Sequence, residues 1–422
     1  MHGKEHNGSK EFKEEMGKYT MKQMTTKSAA SIQRLAIPLI ILLLAIFQLQ
    51  PALALPVSDS NQVVTAAAMK LVQFGSDPKT QLDTLAVATL VDYVLGAKPN
   101  KETDLPSFHK APGAYYEFDT RTSISKFLQY SYSNQIPSVL TSPSSLRYSL
   151  WNSRQGKLQQ LPNSWIFALP DSKPTIIRGL QRDAITPDLT TGIYYEYDLN
   201  RTFILLNHKG RQTLITVSKQ INISDVGKKG VILGNDDDWN YYYSGEPGSS
   251  KAFLGWVKSY IYDYFSVAVY VETGSSPSMF RTGVFQWIRA GCSGINFVQP
   301  KHIIKGIRRY AKSSKSILES PNLPAPNQIA SAYQRLSSLS QNDLLEKYMA
   351  LQQARQSLAV QNGKIETKKI EKQNSYAGTP KEQIVEELML EYLKVVLGKP
   401  SLLGNKVILV LSNQEQKNLI FH

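Results

Sequence analysis

Cysteine is almost absent from this sequence, which contains only Cys292 among its 422 residues. No disulfide can therefore form within the chain, and the fold must be stable from its core alone. A chain of this length can bury a core large enough for that, whereas small secreted domains usually need disulfides. Because Cys292 stands among small and apolar residues, we expect a buried side chain rather than a reactive thiolate.

Histidine is scarce as well, and only four histidines follow residue 54. None of these four stands at the HxH or HxxxH spacing that favours a zinc site. The sequence also lacks the GxSxG turn of serine hydrolases and the Walker loop that binds phosphate. We therefore predict no metal and no cofactor.

Long apolar runs are lacking except near the N terminus, where residues 35–47 read LAIPLIILLLAIF. This run follows Arg34 and is itself followed by small residues at Ala52 and Ala54. A basic flank, an apolar core and a small-residue exit are the three parts of a secretory signal peptide. We therefore predict that residues 1–54 form a signal peptide and that the mature protein is periplasmic or secreted.

Two features of this leader leave alternatives open. The stretch before the apolar run is long and acidic, and a start at Met21 or Met24 would give a leader of more ordinary length. An uncleaved N-terminal membrane anchor at 35–57 is the other interpretation. Its length could just cross a bilayer, but Gln48 and Gln50 make it a poor span.

Acidic residues are outnumbered, since 48 lysines and arginines face 34 aspartates and glutamates. Residues 1–34 hold seven basic and four acidic side chains, so the mature chain keeps a net charge of about +11. After export we expect no nucleic acid as a partner. An envelope protein, an anionic polymer or polysaccharide, or an anionic membrane surface would complement such a charge.

The residue patterns of the mature chain predict an α+β fold with a β-rich central body, N-terminal helices and a C-terminal helical tail. The predicted divisions are an N-terminal helical segment and linker at 55–106, a β-rich body at 107–273, a helical segment packed on the body at 274–320, and a helical tail at 321–422. In the third division, the apolar stretch 283–298 is interpreted as helical. In the tail, Ser340 and Asp343 resemble a capping box that separates two helices.

Two similar stretches stand in the predicted body. They read GAYYEFDTRTSI at 113–124 and GIYYEYDLNRTFI at 192–204. In a strand, each copy would place a tyrosine and two carboxylates on one face and aromatic side chains on the other. We interpret the body as two pseudo-repeated units, near 107–186 and 187–273.

The densest polar cluster is GNDDDWNYYYSGEPG at 234–248. Its alternating oxygen donors resemble a calcium loop, but Tyr241 occupies the position where that loop needs glycine. Aspartate runs also form ordinary turns, and that structural interpretation is favoured. If the cluster binds a ligand or a sugar, the candidate residues are Asp236, Asp237, Asp238, Trp239, Tyr241, Tyr243 and Glu246.

Carboxylates could also act in catalysis, because glycoside hydrolysis needs two carboxyl groups flanking a bond. The candidates are Glu117, Glu196, Asp236 and Asp238. Such residues are common on solvated strands, however, where Arg121 or Arg201 could neutralise them. We therefore do not assign a catalytic role to any of these four candidates.

Basic residues surround the apolar side of the predicted helix near 301–315 and define a basic surface. Its members are Lys301, Lys305, Arg308, Arg309 and Lys312. Such a helix could rest on anionic lipid, although a solvated face is the commoner meaning.

These observations favour an exported, non-catalytic protein that binds a partner or polymer at a bacterial envelope, or supports it structurally. The acidic-aromatic loop and the basic helix would be its contact surfaces. The alternatives are a secreted polysaccharide hydrolase that uses aspartate and glutamate carboxylates, and a peripheral membrane-associated protein.

Overall fold

The computed structural model describes residues 59–152, 160–166, 172–251, 255–365, 376 and 378–405. These residues contain seven α-helices and fourteen strands. The helices are α1 (Asp59–Ser76), α2 (Thr84–Gly96), α3 (Ile124–Ser131), α4 (Pro300–Leu318), α5 (Pro326–Ser338), α6 (Gln341–Gln361) and α7 (Lys381–Val396). Two short 3-10 turns lie at Ser138–Thr141 and Asp236–Asp238.

The strands belong to three antiparallel sheets. Their bounds are β1 (Glu102–Phe108), β2 (Ala111–Thr120), β3 (Leu146–Asn152), β4 (Thr175–Ile185), β5 (Ile193–Tyr194), β6 (Glu196–His208), β7 (Arg211–Gln220), β8 (Lys228–Ile232), β9 (Tyr241–Pro247), β10 (Ser249–Lys251), β11 (Gly255–Val257), β12 (Tyr260–Ser275), β13 (Ser278–Cys292) and β14 (Ile295–Asn296). The main sheet has the order β1–β2–β13–β12–β7–β6–β4–β3, with β14 added beside β13. A small sheet has the order β5–β8–β9, and β10 pairs with β11.

Helices cover both faces of the main sheet. On one face, α1 and α2 bury apolar side chains such as Leu71 and Leu90 against Val217 and Phe285. On the opposite face, α3, α4 and the C-terminal helices share one core with the sheet, in which Phe203 takes part. Successive residues of a strand point to opposite faces of the sheet. A central strand that helices cover on both sides therefore has apolar residues at odd and even positions alike.

This architecture confirms the predicted α+β fold, with its β-rich body, N-terminal helices and C-terminal helices. The capping prediction at Ser340 is also confirmed, because its side chain accepts a hydrogen bond from the backbone N–H of Asp343. That cap separates α5 from α6. The sequence also contains a strand-like run, KVILVLS at 406–412, which lies outside the described residues.

The helical interpretation of 283–298 is wrong, because most of this stretch is the end of strand β13. Val284 belongs to the core on the α4 side, whereas Phe285 and Trp287 belong to the core beneath α1 and α2. The apolar run is therefore a strand buried on both faces, which periodicity alone does not distinguish from a helix. Of the predicted helical division 274–320, only α4 is helical.

The linker predicted before the body also contains a strand. β1 pairs with β2 at the edge of the main sheet. Its Pro106 is tolerated there because an edge strand need not donate every backbone N–H to a neighbour. The prolines that indicated a linker are thus compatible with edge pairing.

The two similar stretches have different surroundings. The first forms β2, between β1 and β13. The second is divided between β5, which pairs with β8, and β6, which pairs with β4 and β7. In the first copy the predicted faces are found, with Tyr115 and Tyr116 in opposite cores. The duplication of the body stays a prediction.

Gly113 provides a test of the pairing between β2 and β13. A Cβ at this position would lie 2.2 Å from Nε1 of Trp287, which donates a hydrogen bond to the carbonyl of Pro106 at 2.9 Å. We expect Gly113→Ala to lower the free energy of unfolding by about 1–3 kcal/mol, as overpacked cores do. Urea denaturation measures the change. Gly306→Ala on α4, where an added Cβ meets nothing within 4 Å, is the matched control and should not destabilise the protein. Equal stability of the two variants would contradict the close packing.

Candidate functional site

A cavity of about 570 Å³ lies between the main sheet and α4. Its floor is formed by inward-facing residues of β4, β6, β7, β12 and β13, and α4 covers it. The polar members of the lining include Asp183, Arg201 and Gln286, and the apolar members include Ile288 and Ile303. The cavity therefore combines polar and apolar walls inside one fold.

A polar row crosses four strands at the bottom of the cavity. Arg201 on β6 pairs with Ser218 on β7, Ser218 pairs with Ser266 on β12, and Ser266 pairs with Gln286 on β13. Because paired residues of neighbouring strands point to the same face, the four side chains share one side of the sheet. Three of them, Arg201, Ser266 and Gln286, line the cavity.

Arg201 is the charged group of this row. Its guanidinium donates hydrogen bonds to the hydroxyl of Ser218 and, at 2.9 Å, to the hydroxyl of Tyr132. Its Nε is buried and has no hydrogen-bond partner. Burial by itself would lower the pKa of Arg201, but Tyr132 and Asp183 nearby raise it above the usual value. The side chain is therefore cationic, although no carboxylate among the described residues forms an ion pair with it.

Asp183 on β4 is the buried carboxylate of the lining. Its Oδ1 accepts hydrogen bonds from the hydroxyl of Ser149 at 2.7 Å and from Nε2 of Gln181 at 2.8 Å. Burial raises the pKa of Asp183 above its usual value, although these two hydrogen bonds and the charge of Arg201 partly oppose the increase. Neutral donors on its own side of the cavity thus hold this carboxylate.

Tyrosine hydroxyls complete the polar end of the cavity. Tyr132, Tyr197, Tyr264, Tyr270 and Tyr310 all belong to the lining. Burial raises the pKa values of Tyr264 and Tyr310 above the ordinary value. Their hydroxyl groups therefore stay protonated and can donate or accept hydrogen bonds.

The wall nearer the mouth is apolar. Ile261 is buried there with Ile185, Ile288 and Ala290 packed around it, and all four line the cavity. At the mouth itself, Leu189 and Phe297 are 37% and 40% exposed. Apolar side chains at an opening are compatible with the passage of an apolar molecule. Cys292 also lines the cavity, and its predicted burial is confirmed.

Hydrogen bonds tie the loop at one side of the mouth to α4. Arg309 donates from Nη1 to the hydroxyl of Thr186 at 3.1 Å and to the carbonyl of Pro187 at 3.2 Å. One turn earlier on the helix, Nζ of Lys305 donates to the hydroxyl of Thr190 at 3.3 Å. These contacts hold the two sides of the opening at a defined separation.

The predicted acidic loop and the predicted basic surface contact each other. Nε of Arg309 donates to Oδ2 of Asp236 at 2.7 Å, and Lys312 pairs with Asp237. Arg308 pairs separately with Glu102 of β1. The acidic loop and the basic surface were predicted to be separate contact surfaces. In the structure they neutralise part of each other's charge. Of the five basic residues, Arg309 is partly buried and the other four are exposed, and Lys305 and Arg309 belong to the cavity lining.

The aromatic members of the acidic loop lie in the core. Trp239 and Tyr241 are each 1% exposed, which corrects their assignment to an external ligand-binding surface. Tyr243 is partly buried, with the guanidinium carbon of Arg147 at 4.0 Å from its ring centroid. The physical reason is that alternating aromatic residues on β9 pack inward between the small sheet and the C-terminal helices. Asp238 and Glu246 are partly buried at the edges of this region.

The four catalytic candidates do not converge on the cavity. Glu117 is buried beneath α1 and α2, where it accepts a hydrogen bond from the hydroxyl of Tyr115 at 2.5 Å. Glu196 accepts one from the hydroxyl of Tyr148 at 2.8 Å and pairs with Lys228 at 3.3 Å. Asp236 is bound by Arg309. None of these carboxylates, nor Asp238, belongs to the lining of the cavity.

Arg201 and Asp183 were not proposed as site residues from the sequence. Arg201 was predicted only as a residue that could neutralise strand carboxylates. In the structure Arg182 forms this ion pair, with its Nη1 at 3.2 Å from Oδ1 of Asp198. Arg201 points to the opposite face, together with Phe203 and Leu205. The sequence did contain one signal for this position. Arg201 alternates with apolar residues of the strand, so it lies on the same buried face as they do.

The described residues contain no helix that is both long and apolar enough to cross a membrane. In the same part of the chain, no three side chains of histidine, cysteine, aspartate or glutamate are grouped so that they could hold a metal ion. Comparisons of the chain with protein-family models, with curated proteins and with solved structures found no match.

Proposed function

We propose that this chain is an exported, non-catalytic binding protein that holds a small amphipathic molecule in the cavity between the main sheet and α4. The observation that supports this function is the cavity itself. Its volume of about 570 Å³ lies within the range of roughly 300–1,000 Å³ that is typical of small-molecule sites. Such sites combine apolar walls with a few convergent polar groups, as this one does.

The arrangement of carboxylates favours binding over hydrolysis. A glycosidase needs two carboxyl groups on either side of the scissile bond. In the cavity, Asp183 lies deep and is held by neutral donors, whereas Asp188 lies in the mouth loop and accepts hydrogen bonds from the backbone of Thr190 and Thr191. The carboxylates suggested for a polysaccharide hydrolase lie elsewhere and are bound by other side chains.

The location of the protein is part of the proposal. The leader predicted at 1–54 favours a periplasmic or secreted binding protein at a bacterial envelope. The net positive charge of the mature chain favours an envelope protein, an anionic polymer or an anionic membrane as the surface from which the ligand is received.

Filling the apolar part of the cavity should abolish most ligand binding. Ala290 pairs with Ile261 in the sheet and lines the cavity. The probe is an uncharged dye whose emission rises in apolar surroundings. We expect Ala290→Phe to weaken its binding by at least about tenfold, or about 1.4 kcal/mol. The added ring would occupy the volume that the dye needs. Fluorescence titration measures the affinity.

Ala350→Phe is the matched control, because Ala350 is exposed on α6, outside the cavity lining. It should bind the dye as the wild type does. The single cysteine provides a second readout, since a bound molecule should slow the alkylation of Cys292. Equal dye binding by both alanine variants, or alkylation at a rate that the dye does not change, would contradict binding in the cavity.

A further inference from the structure

We infer that the cavity selects molecules with an alkyl chain and a single carboxylate, and that Arg201 binds the carboxylate while the chain extends along the apolar wall toward the mouth. This inference rests on the proposed function and adds the chemical class of the ligand. It depends on the position of Arg201, on its unused hydrogen-bonding capacity and on the distribution of polarity along the cavity.

The guanidinium of Arg201 has hydrogen-bonding capacity to spare. An arginine side chain carries five N–H donors. Among the described residues, this one donates from Nη1 to the hydroxyl of Ser218 and from Nη2 to the hydroxyl of Tyr132, and each of these nitrogens carries a second N–H. An anionic acceptor at this end of the cavity could bind these second N–H groups through charge-assisted hydrogen bonds, which are stronger than neutral ones.

No carboxylate among the described residues forms an ion pair with Arg201, although Asp183 is near enough to raise its pKa. A charge inside a protein is unfavourable unless it is paired, so a ligand that brings the opposite charge into direct contact offsets this cost. The nearby carboxylate of Asp183 is occupied by Ser149 and Gln181 through its Oδ1. An anionic ligand would therefore supply what the described side chains around Arg201 do not.

A singly charged, planar acid fits this place better than a phosphate. The planar guanidinium matches both carboxylate and phosphate oxygens. A phosphate monoester carries about −1.5 to −2 charges near neutral pH, and here it would lie near a second acidic group, Asp183. A carboxylate brings a single negative charge, so Asp183 repels it less than it would repel a phosphate, and the uncharged side chains of Ser266 and Gln286 in the same row also line the cavity.

The distance from the polar row to the mouth suits an extended chain. Gln286 belongs to the row of Arg201, and Ala290 stands four residues further along β13. A strand rises about 3.4 Å per residue, so these positions are separated by roughly 14 Å. Ile261, Ile288 and Ala290 form the wall over this length. An alkyl chain anchored at Arg201 would therefore lie against apolar side chains and end near Phe297.

Calorimetric titration of the mature wild-type chain with dodecanoate and with dodecanol tests the inference. The two molecules share one chain and differ in the charge of the head group. We expect dodecanoate to bind at least about tenfold more tightly, because charge-assisted hydrogen bonds are roughly twice as strong as neutral ones. Dodecyl phosphate should bind more weakly than dodecanoate.

Substitution of the arginine supplies the second arm. Arg201→Gln should remove the preference for dodecanoate while the affinity for dodecanol stays within about threefold of the wild-type value, since the apolar wall is unchanged. Arg211→Gln is the matched control, because Arg211 is exposed at the start of the adjacent strand β7 and lies outside the lining. It should keep the full preference. If Arg201→Gln does not fold, the comparison of the ligands on the wild-type protein still decides the question.

The outcomes separate the two proposals. Equal wild-type affinity for dodecanoate and dodecanol would overturn the assignment of Arg201 while leaving a binding cavity in place. Tighter binding of dodecyl phosphate than of dodecanoate would overturn the choice of a carboxylate. Failure of both the acid and the alcohol to bind would overturn the binding function itself.

Discussion

Replacing Glu387 with alanine is expected to lower the free energy of unfolding by about 3–5 kcal/mol, because it leaves two buried arginines without their shared counter-ion. Oε1 of Glu387 accepts a hydrogen bond from Nε of Arg147 at 2.9 Å, and Oε2 pairs with Arg355. Tyr348 and Gln383 each donate to Oε1 at 3.0 Å. This network joins α7 to β3 and α6, so it fixes the position of the C-terminal helices on the sheet.

The charge state of Glu387 follows from the same contacts. Burial alone would raise the pKa of Glu387, but Arg147 and Arg355 lower it to about 2. The carboxylate is therefore ionised at all ordinary pH values. Its contribution to stability is present above pH 4.5, the usual value for glutamate, and is lost as the pH falls toward 2.

Urea denaturation at neutral pH measures the effect of Glu387→Ala. Glu382→Ala is the matched control, because Glu382 is exposed in the first turn of the same helix. The control should change the free energy of unfolding by no more than about 0.5 kcal/mol. A loss at Glu387 as small as that of the control would contradict a structural role for the network.

Glu386 is expected to show the opposite dependence on pH. Burial raises the pKa of Glu386 from 4.5 to about 8, although the backbone N–H of Ser149 donates to its carboxylate at 2.8 Å and lowers the pKa. The neighbouring acids Asp183, Glu387 and Glu382 contribute to this raised pKa. Between these pH values the folded protein holds a proton that the unfolded chain has released, so stability falls as the pH rises. The loss from this group reaches on the order of 4 kcal/mol by pH 8.

Glu386→Gln should remove this loss. The amide stays neutral, and its oxygen can accept the same hydrogen bond from Ser149. We expect the variant to match the wild type within about 1 kcal/mol at pH 5 and to exceed it by several kcal/mol at pH 8. Urea denaturation across this pH range provides the comparison, with Glu346→Gln, at an exposed position of α6, as the control that follows the wild-type curve. Parallel curves for the Glu386 variant and the wild type would contradict the raised pKa.

The fold was predictable where local signals decide it. The alternating stretches at 113–124 and 192–204 predicted strands where β2 and β6 lie, and the side chain of Ser340 marked the division between α5 and α6. β13 was missed because it is apolar on both faces, a pattern that arises only when helices cover both sides of a sheet. Nothing local in this stretch reveals that α1 and α2 lie on one side and α4 on the other.

The site was less predictable because it depends on long-range pairing. The polar row at the bottom of the cavity requires Arg201, Ser218, Ser266 and Gln286 to be in register across four strands. The acidic loop and the basic helix were both visible as charge clusters. Their contact was not, since Arg309 and Asp236 are 73 positions apart in the chain. Opposite charges at such separations pair only when the fold brings them together.

A crystal structure of the mature protein with ω-bromododecanoate would test the central claim most directly, because anomalous scattering locates the bromine at the end of the alkyl chain. We expect the carboxylate within hydrogen-bonding distance of Arg201 and the bromine beside Leu189 and Phe297 at the mouth. Bromine bound on the outer surface of the protein, with only water between the main sheet and α4, would contradict the account.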